Sequence, residues 1–324
     1  MAEQLRPLEP AAPVLALVVP CYNEGETLPR TISELASLLA TLKDRGQVAP
    51  ESFAIYVDDG SRDNTWEIIE SRHATDTFCR GVRFAGNAGH QNALLAGMQA
   101  ALELGADCAI SLDADLQDDI SAIPEMLRLY AHGRDIVFGV RSDRASDTAF
   151  KRCTAHAFYW LMGALGINLV PDHADYRLVS RPVLKALEQY GEQTLFLRGL
   201  FPSMGFSQGR VSYRRLSRQA GESKYPLRKM ISFAWKGITS CSAAPLRLAG
   251  LLGLLSMFGA LAASVGAVLQ HLRGETIPGW TSLMIVVLAL GAVQLFCLAL
   301  MGEYIARIFT EVRSRPRFII ETKI

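Results

Sequence analysis

The chain has 324 residues, half of them hydrophobic, and a mean hydropathy of +0.17. That apolar content excludes a mainly disordered chain. With 33 Lys and Arg against 32 Asp and Glu the formal net charge is +1, which argues against a general nucleic-acid binder, since such proteins carry a basic excess.

In chain order, Val14–Val19 predicts a buried strand and Thr27–Lys43 a helix, with Leu28, Ile32, Leu35, Leu38, Leu39 and Leu42 at helical spacing. Phe53–Val57 is a second strand. Asp63 or Asn64 caps a helix through Trp66, Ile68 and Ile69. Gly81–Phe84 is a third strand, and a helix follows from about Gln91, with Leu94, Leu95, Met98 and Leu102 on one side. Cys108–Leu112 and Ile136–Val140 are a fourth and a fifth strand. Strands alternating with helices predict an α/β chain with a mostly parallel, doubly wound sheet. Ligands bind such sheets beyond the carboxyl ends of the strands. Polar clusters follow the strands there: Pro20–Glu24, Asp58–Ser61 and Asp113–Asp119.

Residues 141–225 lack clean alternation and read as loops and short elements covering the sheet edge. Pro226–Ser242 predicts a basic amphipathic helix with Trp235, suited to a membrane surface. From Leu248 to Gly302 the charged residues are Arg273 and Glu275 alone. Leu248–Leu269 and Thr281–Met301 each hold roughly 20 mainly apolar residues, enough to cross a hydrocarbon core of about 30 Å. The short connection between them makes a hairpin. Arg228, Lys229, Lys236 and Arg247 precede it, and Arg307, Arg313, Arg315, Arg317 and Lys323 follow it. The positive-inside rule then places both termini in the cytoplasm. The first apolar run is too short for a signal peptide, and Glu3 and Glu9 precede it. The six cysteines are scattered with no Cys-x-x-Cys pair, which fits a reducing compartment. The expected organisation is a cytoplasmic domain over 1–225, a juxtamembrane segment over 226–246, two spans within 247–303 and a basic cytoplasmic tail over 304–324. Gly250, Gly253, Gly259 and Gly266 suit the spans to packing against neighbours in a homo-oligomer.

Asp113-Ala-Asp-Leu-Gln-Asp-Asp119 puts four carboxylates in seven residues. Such a cluster is stable when exposed or when a hard cation such as Mg²⁺ or Mn²⁺ sits among its oxygens. It also reads as a solvated acidic turn or a helix cap. Val57-Asp-Asp-Gly-Ser61 offers carboxylates to a base N–H or to ribose hydroxyls, and is equally a turn before a helix cap. In Pro20-Cys-Tyr-Asn-Glu24 the Tyr can flank a base and the Glu can hold a polar edge. Gly86-Asn-Ala-Gly-His-Gln91 opens a helix whose N-terminus suits an anion, but it is not a dinucleotide-binding fingerprint. His90 and His173, lone histidines, are not assigned as ligands or bases.

In this order the three acidic segments resemble those of the GT-A fold family 2 glycosyltransferases. Asp172-His-Ala-Asp-Tyr-Arg-Leu178, Leu197-Arg-Gly199, Arg218-Gln-Ala-Gly-Glu-Ser-Lys-Tyr225, Gly237-Ile-Thr-Ser240, Pro245-Leu-Arg-Leu248 and Gly279-Trp-Thr-Ser-Leu283 narrow the resemblance to the polyprenyl-phosphate glycosyltransferases. The two-span hairpin is similar to their bacterial members. The resemblance implies transfer of a sugar from a nucleotide-sugar, UDP ahead of GDP, to polyprenyl phosphate such as undecaprenyl phosphate, for cell-envelope glycan modification at the cytoplasmic membrane. It implies that Pro20, Tyr22, Glu24, Asp58, Asp59 and Asp113 hold the nucleotide-sugar. It implies that Asp113, Asp115 and Gln117 hold a divalent cation, Mg²⁺ or Mn²⁺. It assigns Asp175, Arg177 and Arg198 to the reaction centre, and Arg141, Arg218, Ser223 and Lys224 to phosphate. Lys236 stands where the family often carries an acidic residue. The acceptor nucleophile is a phosphate oxygen whose second pKa is roughly 6, so it needs little help from a base. Two alternatives are a processive polysaccharide synthase and a non-catalytic membrane adaptor. The first needs more spans and a Gln-x-x-Arg-Trp segment; the second is disfavoured by the intact carboxylates.

Overall fold

The computed structural model describes residues 12–141, 173–193, 196–214, 244–273 and 279–324. Arg218, Ser223, Lys224, Lys236 and the amphipathic segment 226–242 lie outside the described residues. The chain divides into two compact units, one holding the sheet together with residues 316–324, the other holding the two long apolar helices.

The first unit is built on strands β1 (Leu15–Cys21), β2 (Phe53–Asp58), β3 (Cys79–Phe84), β4 (Cys108–Ser111), β5 (Ile136–Arg141), β6 (His173–Ser180), β7 (Gln208–Tyr213) and β8 (Ile320–Lys323). They form one sheet in the order β7-β5-β6-β4-β1-β2-β3-β8. The pairs among β1 to β4 are parallel, as is β5 with β7, whereas β6 runs antiparallel to both its neighbours and β8 antiparallel to β3. The mostly parallel α/β architecture expected from the sequence is present.

Strands β1 and β2 are buried along their whole length because helices cover both faces. Alternation sorts the side chains. Leu15, Leu17 and Val19 of β1 join one core with α1 (Leu28–Asp44), α2 (Thr65–Thr75) and α4 (Ile123–Ala131). Ala16 and Val18 join the other, with α3 (His90–Glu103), α5 (Arg181–Leu187) and α6 (Leu197–Ser203). Helix α1 buries Leu28, Ile32, Leu35, Leu39 and Leu42, a stripe at helical spacing, and starts with a proline in its first turn.

Three strands escaped the sequence: β6, β7, which falls in the stretch read as loops and short elements, and β8. β6 reads as polar because it carries Asp175 and Arg177, which are buried against each other. β8 lies in the stretch taken for a basic tail. There, the second apolar helix runs on to Val312, and residues 320–323 complete the edge of the sheet.

The second unit contains α7 (Ala244–Leu272) and α8 (Trp280–Val312). They pack on each other, and each is long and apolar enough to cross a membrane. Within the apolar windows Ala249–Gly266 and Ile285–Val312 only 6% of residues are buried.

Helix α3 lies tight on the sheet through Gly97, where a Cβ would stand 2.3 Å from Val18 Cγ1. Val18 is buried and stiff at χ1. Gly97→Ala is expected to cost about 1–3 kcal/mol through overpacking, read as a lowered Tm in thermal unfolding of the purified protein. An unchanged Tm would contradict this packing.

Candidate active site

The carboxyl ends of β1, β2 and β4 present the three polar clusters at one edge of the sheet. The antiparallel strand β6 brings its N-terminal end to the same edge. Ser111 of β4 pairs with Arg177 of β6. Two residues further along each strand, in opposite senses, stand Asp113 and Asp175. His90, the first residue of α3, lies between them: its Nε2 is 3.4 Å from Asp175 Oδ2 and 3.7 Å from Asp113 Oδ1.

Asp175 is the hub. It is 5% exposed. Arg177 donates to Oδ1 at 2.5 Å, and Arg198 of α6 donates to both oxygens, at 3.2 and 2.8 Å. Gln91 Nε2 donates to Oδ2 at 3.3 Å. Burial works to raise the Asp175 pKa, but the hydrogen bond with His90 and the two guanidiniums outweigh it and hold the carboxyl well below the usual carboxylate range. Its backbone carbonyl accepts from Ser111 Oγ at 2.5 Å. A carboxylate with so little proton affinity is a poor general base.

Arg177 is fully buried, donates to the Leu197 carbonyl oxygen at 3.3 Å, and lies 4.8 Å over the Phe201 ring. Burial lowers its pKa to about 10 in spite of Asp175. With no surface it cannot meet a reactant. Its place in the expected reaction centre is below the surface, against Asp175. Arg198 keeps 36% of its side chain exposed and can meet a reactant.

The acidic loop divides its labour. Asp118 accepts from Tyr213 Oη at 2.5 Å, with Arg141 Nη2 at 3.8 Å, and Asp119 accepts from the Ser121 N–H at 2.9 Å as a cap. Tyr176 Oη donates to the Asp119 carbonyl, and Thr31 of α1 donates to the Ala114 carbonyl at 2.6 Å. These contacts fix the loop, in which Leu116 takes a positive φ of 46°. Asp113 and Asp115 stay half-buried. Burial, together with Asp118, Asp175 and Asp115, pushes Asp113 up to about 6, against the pull of His90. Burial lowers the His90 pKa, but Asp175 and Asp113 overcome it and raise the net value.

Gln117 is buried, and its amide nitrogen makes no hydrogen bond. Among the described residues no group of three His, Cys, Asp or Glu side chains could hold a metal ion. Arg141 donates to Tyr213 Oη at 3.2 Å, so part of its expected phosphate-binding capacity is already engaged.

On the other side of β1, Asp58 is fully buried, and Ser61 N–H donates to its Oδ1 at 3.0 Å. Asp59 accepts from the Ala88 and Gly89 N–H groups, the closest at 2.6 Å. It therefore holds the loop that opens α3. That loop crosses close over Gly60, where a Cβ would lie 2.6 Å from the Gly86 carbonyl carbon and where φ is +69°. Only glycine suits that turn. Pro20 lies within β1, Tyr22 is 44% exposed just beyond it, and Glu24 accepts from Thr27 Oγ1 at 2.7 Å.

His90, Gln91 and Tyr213 are the residues sequence reasoning missed. The signal for the first two was their place at the opening of a helix after a glycine-spaced loop. Tyr213 carried none.

Asp175→Ala leaves Arg177 buried without its carboxylate. It is expected to cost about 3–5 kcal/mol, read as a lower Tm; an unchanged Tm would contradict the hub.

The sequence profile of the family described as Glycosyl transferase family 2 matches residues 16–187. A Bacillus subtilis protein named "Uncharacterized glycosyltransferase YkoT" is 46% identical over 314 residues, covering 97% of this chain and 93% of the relative. A Synechocystis protein named "Uncharacterized glycosyltransferase sll0501" is 34% identical over 94% of each chain. The "Bactoprenol glucosyl transferase" of Shigella phage SfII is 34% identical over 310 residues, covering 95% of this chain and 97% of the relative.

Proposed function

The chain belongs to glycosyl transferase family 2, and on that premise we propose that it transfers a sugar from a nucleotide-sugar to polyprenyl phosphate at a membrane. The product is a polyprenyl-phosphate-linked sugar for envelope glycan modification. The observation that carries this is the meeting of Asp113 and Asp175 around His90, in a chain alike along 95% of its length to a protein named as a bactoprenol glucosyl transferase.

The donor lies over the carboxyl ends of β1, β2 and β4. Tyr22 offers a ring face to the base. Glu24 and Asp58 accept from its polar edge or from ribose, with UDP the first candidate. Asp59 acts through the loop it holds. Asp113 and Asp115 suit a divalent cation, Mg²⁺ or Mn²⁺. The raised Asp113 pKa reflects burial first and then the crowding of Asp118, Asp175 and Asp115, which together outweigh the pull of His90. Asp113 and Asp115 would hold the cation by few protein ligands, leaving room for donor phosphates as hard cations allow. Gln117, through its amide oxygen, is the third candidate ligand. The cation, when bound, neutralises charge on the departing diphosphate.

The acceptor phosphate arrives largely ionised and is drawn by cations. Arg198, fixed by two hydrogen bonds to Asp175, presents a planar fork suited to it. Arg141, Arg218, Ser223 and Lys224 add to that field. Asp175 orients these groups and takes no proton. Direct attack by the phosphate oxygen on the sugar inverts its anomeric centre.

Helices α7 and α8 anchor the enzyme as a hairpin. The chain leaves the sheet unit, passes through both helices and returns to pair β8 with β3. Two spans return the chain to the side of the membrane from which it left. Arg307, Arg313, Arg315, Arg317 and Lys323 mark that side as cytoplasmic.

The test uses the full-length protein in detergent with undecaprenyl phosphate and labelled UDP- or GDP-sugars. With Mg²⁺ or Mn²⁺ one donor's label enters the lipid phase, and EDTA abolishes the transfer. Asp115→Ala lowers the rate at least about a hundredfold. Donor hydrolysis without lipid product would overturn the acceptor, and transfer unaffected by EDTA would overturn the cation.

A further inference from the structure

The C-terminal strand is held to the sheet at several points. Ile324 and Gly81 exchange backbone hydrogen bonds at 2.9 and 3.0 Å, and Ala85 N–H donates to the Ile319 carbonyl oxygen at 2.9 Å. Phe318 stacks on Phe84 with ring centroids 4.8 Å apart and planes 8° from parallel. At Gly81 a Cβ would come 2.8 Å from Ile324 Cγ1, so the absence of a side chain there makes room for the strand's last residue. Lys323 Nζ lies 2.6 Å from Glu103 Oε2.

One side chain of this strand reaches toward the nucleotide end of the site. Glu321 Oε2 is 3.4 Å from Arg83 Nε, and the same Nε is 3.7 Å from Asp58 Oδ2. The Arg83 guanidinium also lies 5.6 Å over the Trp66 ring. Asp58 is fully buried, and its Oδ2 accepts no hydrogen bond within the protein. A buried carboxylate is costly without a neighbouring cation. Arg83 supplies that cation at 3.7 Å, and Oδ2 stays below the surface with its hydrogen-bonding capacity unused, as an acceptor awaiting a ligand's N–H or O–H would.

We infer that Arg83 is a positioning residue that holds Asp58 for the nucleotide, and that Glu321 fixes Arg83, which makes the C-terminal strand part of the donor site. This rests on Asp58 binding the nucleotide. The strand that follows the membrane hairpin is thereby coupled to donor affinity through Arg83.

The test is calorimetric titration of the full-length protein in detergent, at about 0.1 M salt, with UDP and with GDP. Arg83→Gln raises the Kd of the nucleotide that binds about tenfold, the loss of roughly one charge-assisted interaction. Arg83→Lys restores part of the affinity. Glu321→Ala raises the Kd about threefold when Arg83 is present and leaves it unchanged in the Arg83→Gln background. The Glu321→Ala effect fades near 1 M salt, where screening acts within about 3 Å; a merely structural loss would persist there with a lowered Tm. An unchanged Kd in Arg83→Gln, or an equal Glu321→Ala effect in both backgrounds, would overturn the inference. Asp58→Asn separates the two levels. If it weakens binding while Arg83→Gln does not, only the positioning role fails. If Asp58→Asn also leaves the Kd unchanged, or neither nucleotide binds, the donor-site reading fails and this inference with it.

Discussion

A buried carboxylate shared by two guanidiniums organises the candidate active site. Asp175 and Arg177 are both out of water, and desolvation alone would make each unfavourable. They are tolerable only together, with Arg198, Gln91 and His90 around Asp175 and with the Leu197 carbonyl and Phe201 ring against Arg177. The partners come from β6, α3 and α6. One ionic cluster therefore fixes the relative placement of three elements that are far apart in sequence. In the proposed reaction Asp175 is then an orienting anion, and Arg198 keeps surface with which to meet a phosphate.

The same economy applies to the other carboxylates. Acidic residues crowded at strand ends repel one another, and the fold relieves the strain by giving several of them backbone or tyrosine donors. Asp118, Asp119 and Asp59 are engaged in this way. Asp113 and Asp115 keep partial exposure, and the crowding felt at Asp113 is of the kind a cation would relieve. Asp58 is buried with one oxygen that accepts no hydrogen bond. Neighbours along the chain thus differ in duty because their hydrogen-bond partners differ, although their residue type is the same.

Much of the first half of the fold was legible in the sequence. Each early strand is an apolar run followed at once by a polar cluster, and parallel strands covered on both faces leave little else to write. β6 was not legible. His-Ala-Asp-Tyr-Arg-Leu-Val-Ser carries two charges that become interior only once they pair. Its antiparallel course, which delivers Asp175 to the same edge as Asp113, is a matter of topology that local pattern does not encode. The role of His90 was hidden for a related reason: a single histidine means little until two carboxylates are known to flank it. β8 was hidden because its four residues follow an Arg-rich stretch that also satisfies a charge rule for membrane topology. Gly81 left a gap for it that only the folded sheet explains.

The account turns on a division between a donor side, built from β1, β2 and β4, and a reaction centre organised by Asp175. The measurement that tests it most directly compares nucleotide Kd and sugar transfer to undecaprenyl phosphate in wild type and Asp175→Asn. That change keeps the shape of the side chain and removes its charge. The account predicts a nucleotide Kd within about twofold of wild type and a transfer rate lowered by about two orders of magnitude or more, since the charge that fixes Arg198 is gone. Transfer within a few-fold of wild type, or a loss of nucleotide binding as large as the loss of transfer, would contradict it.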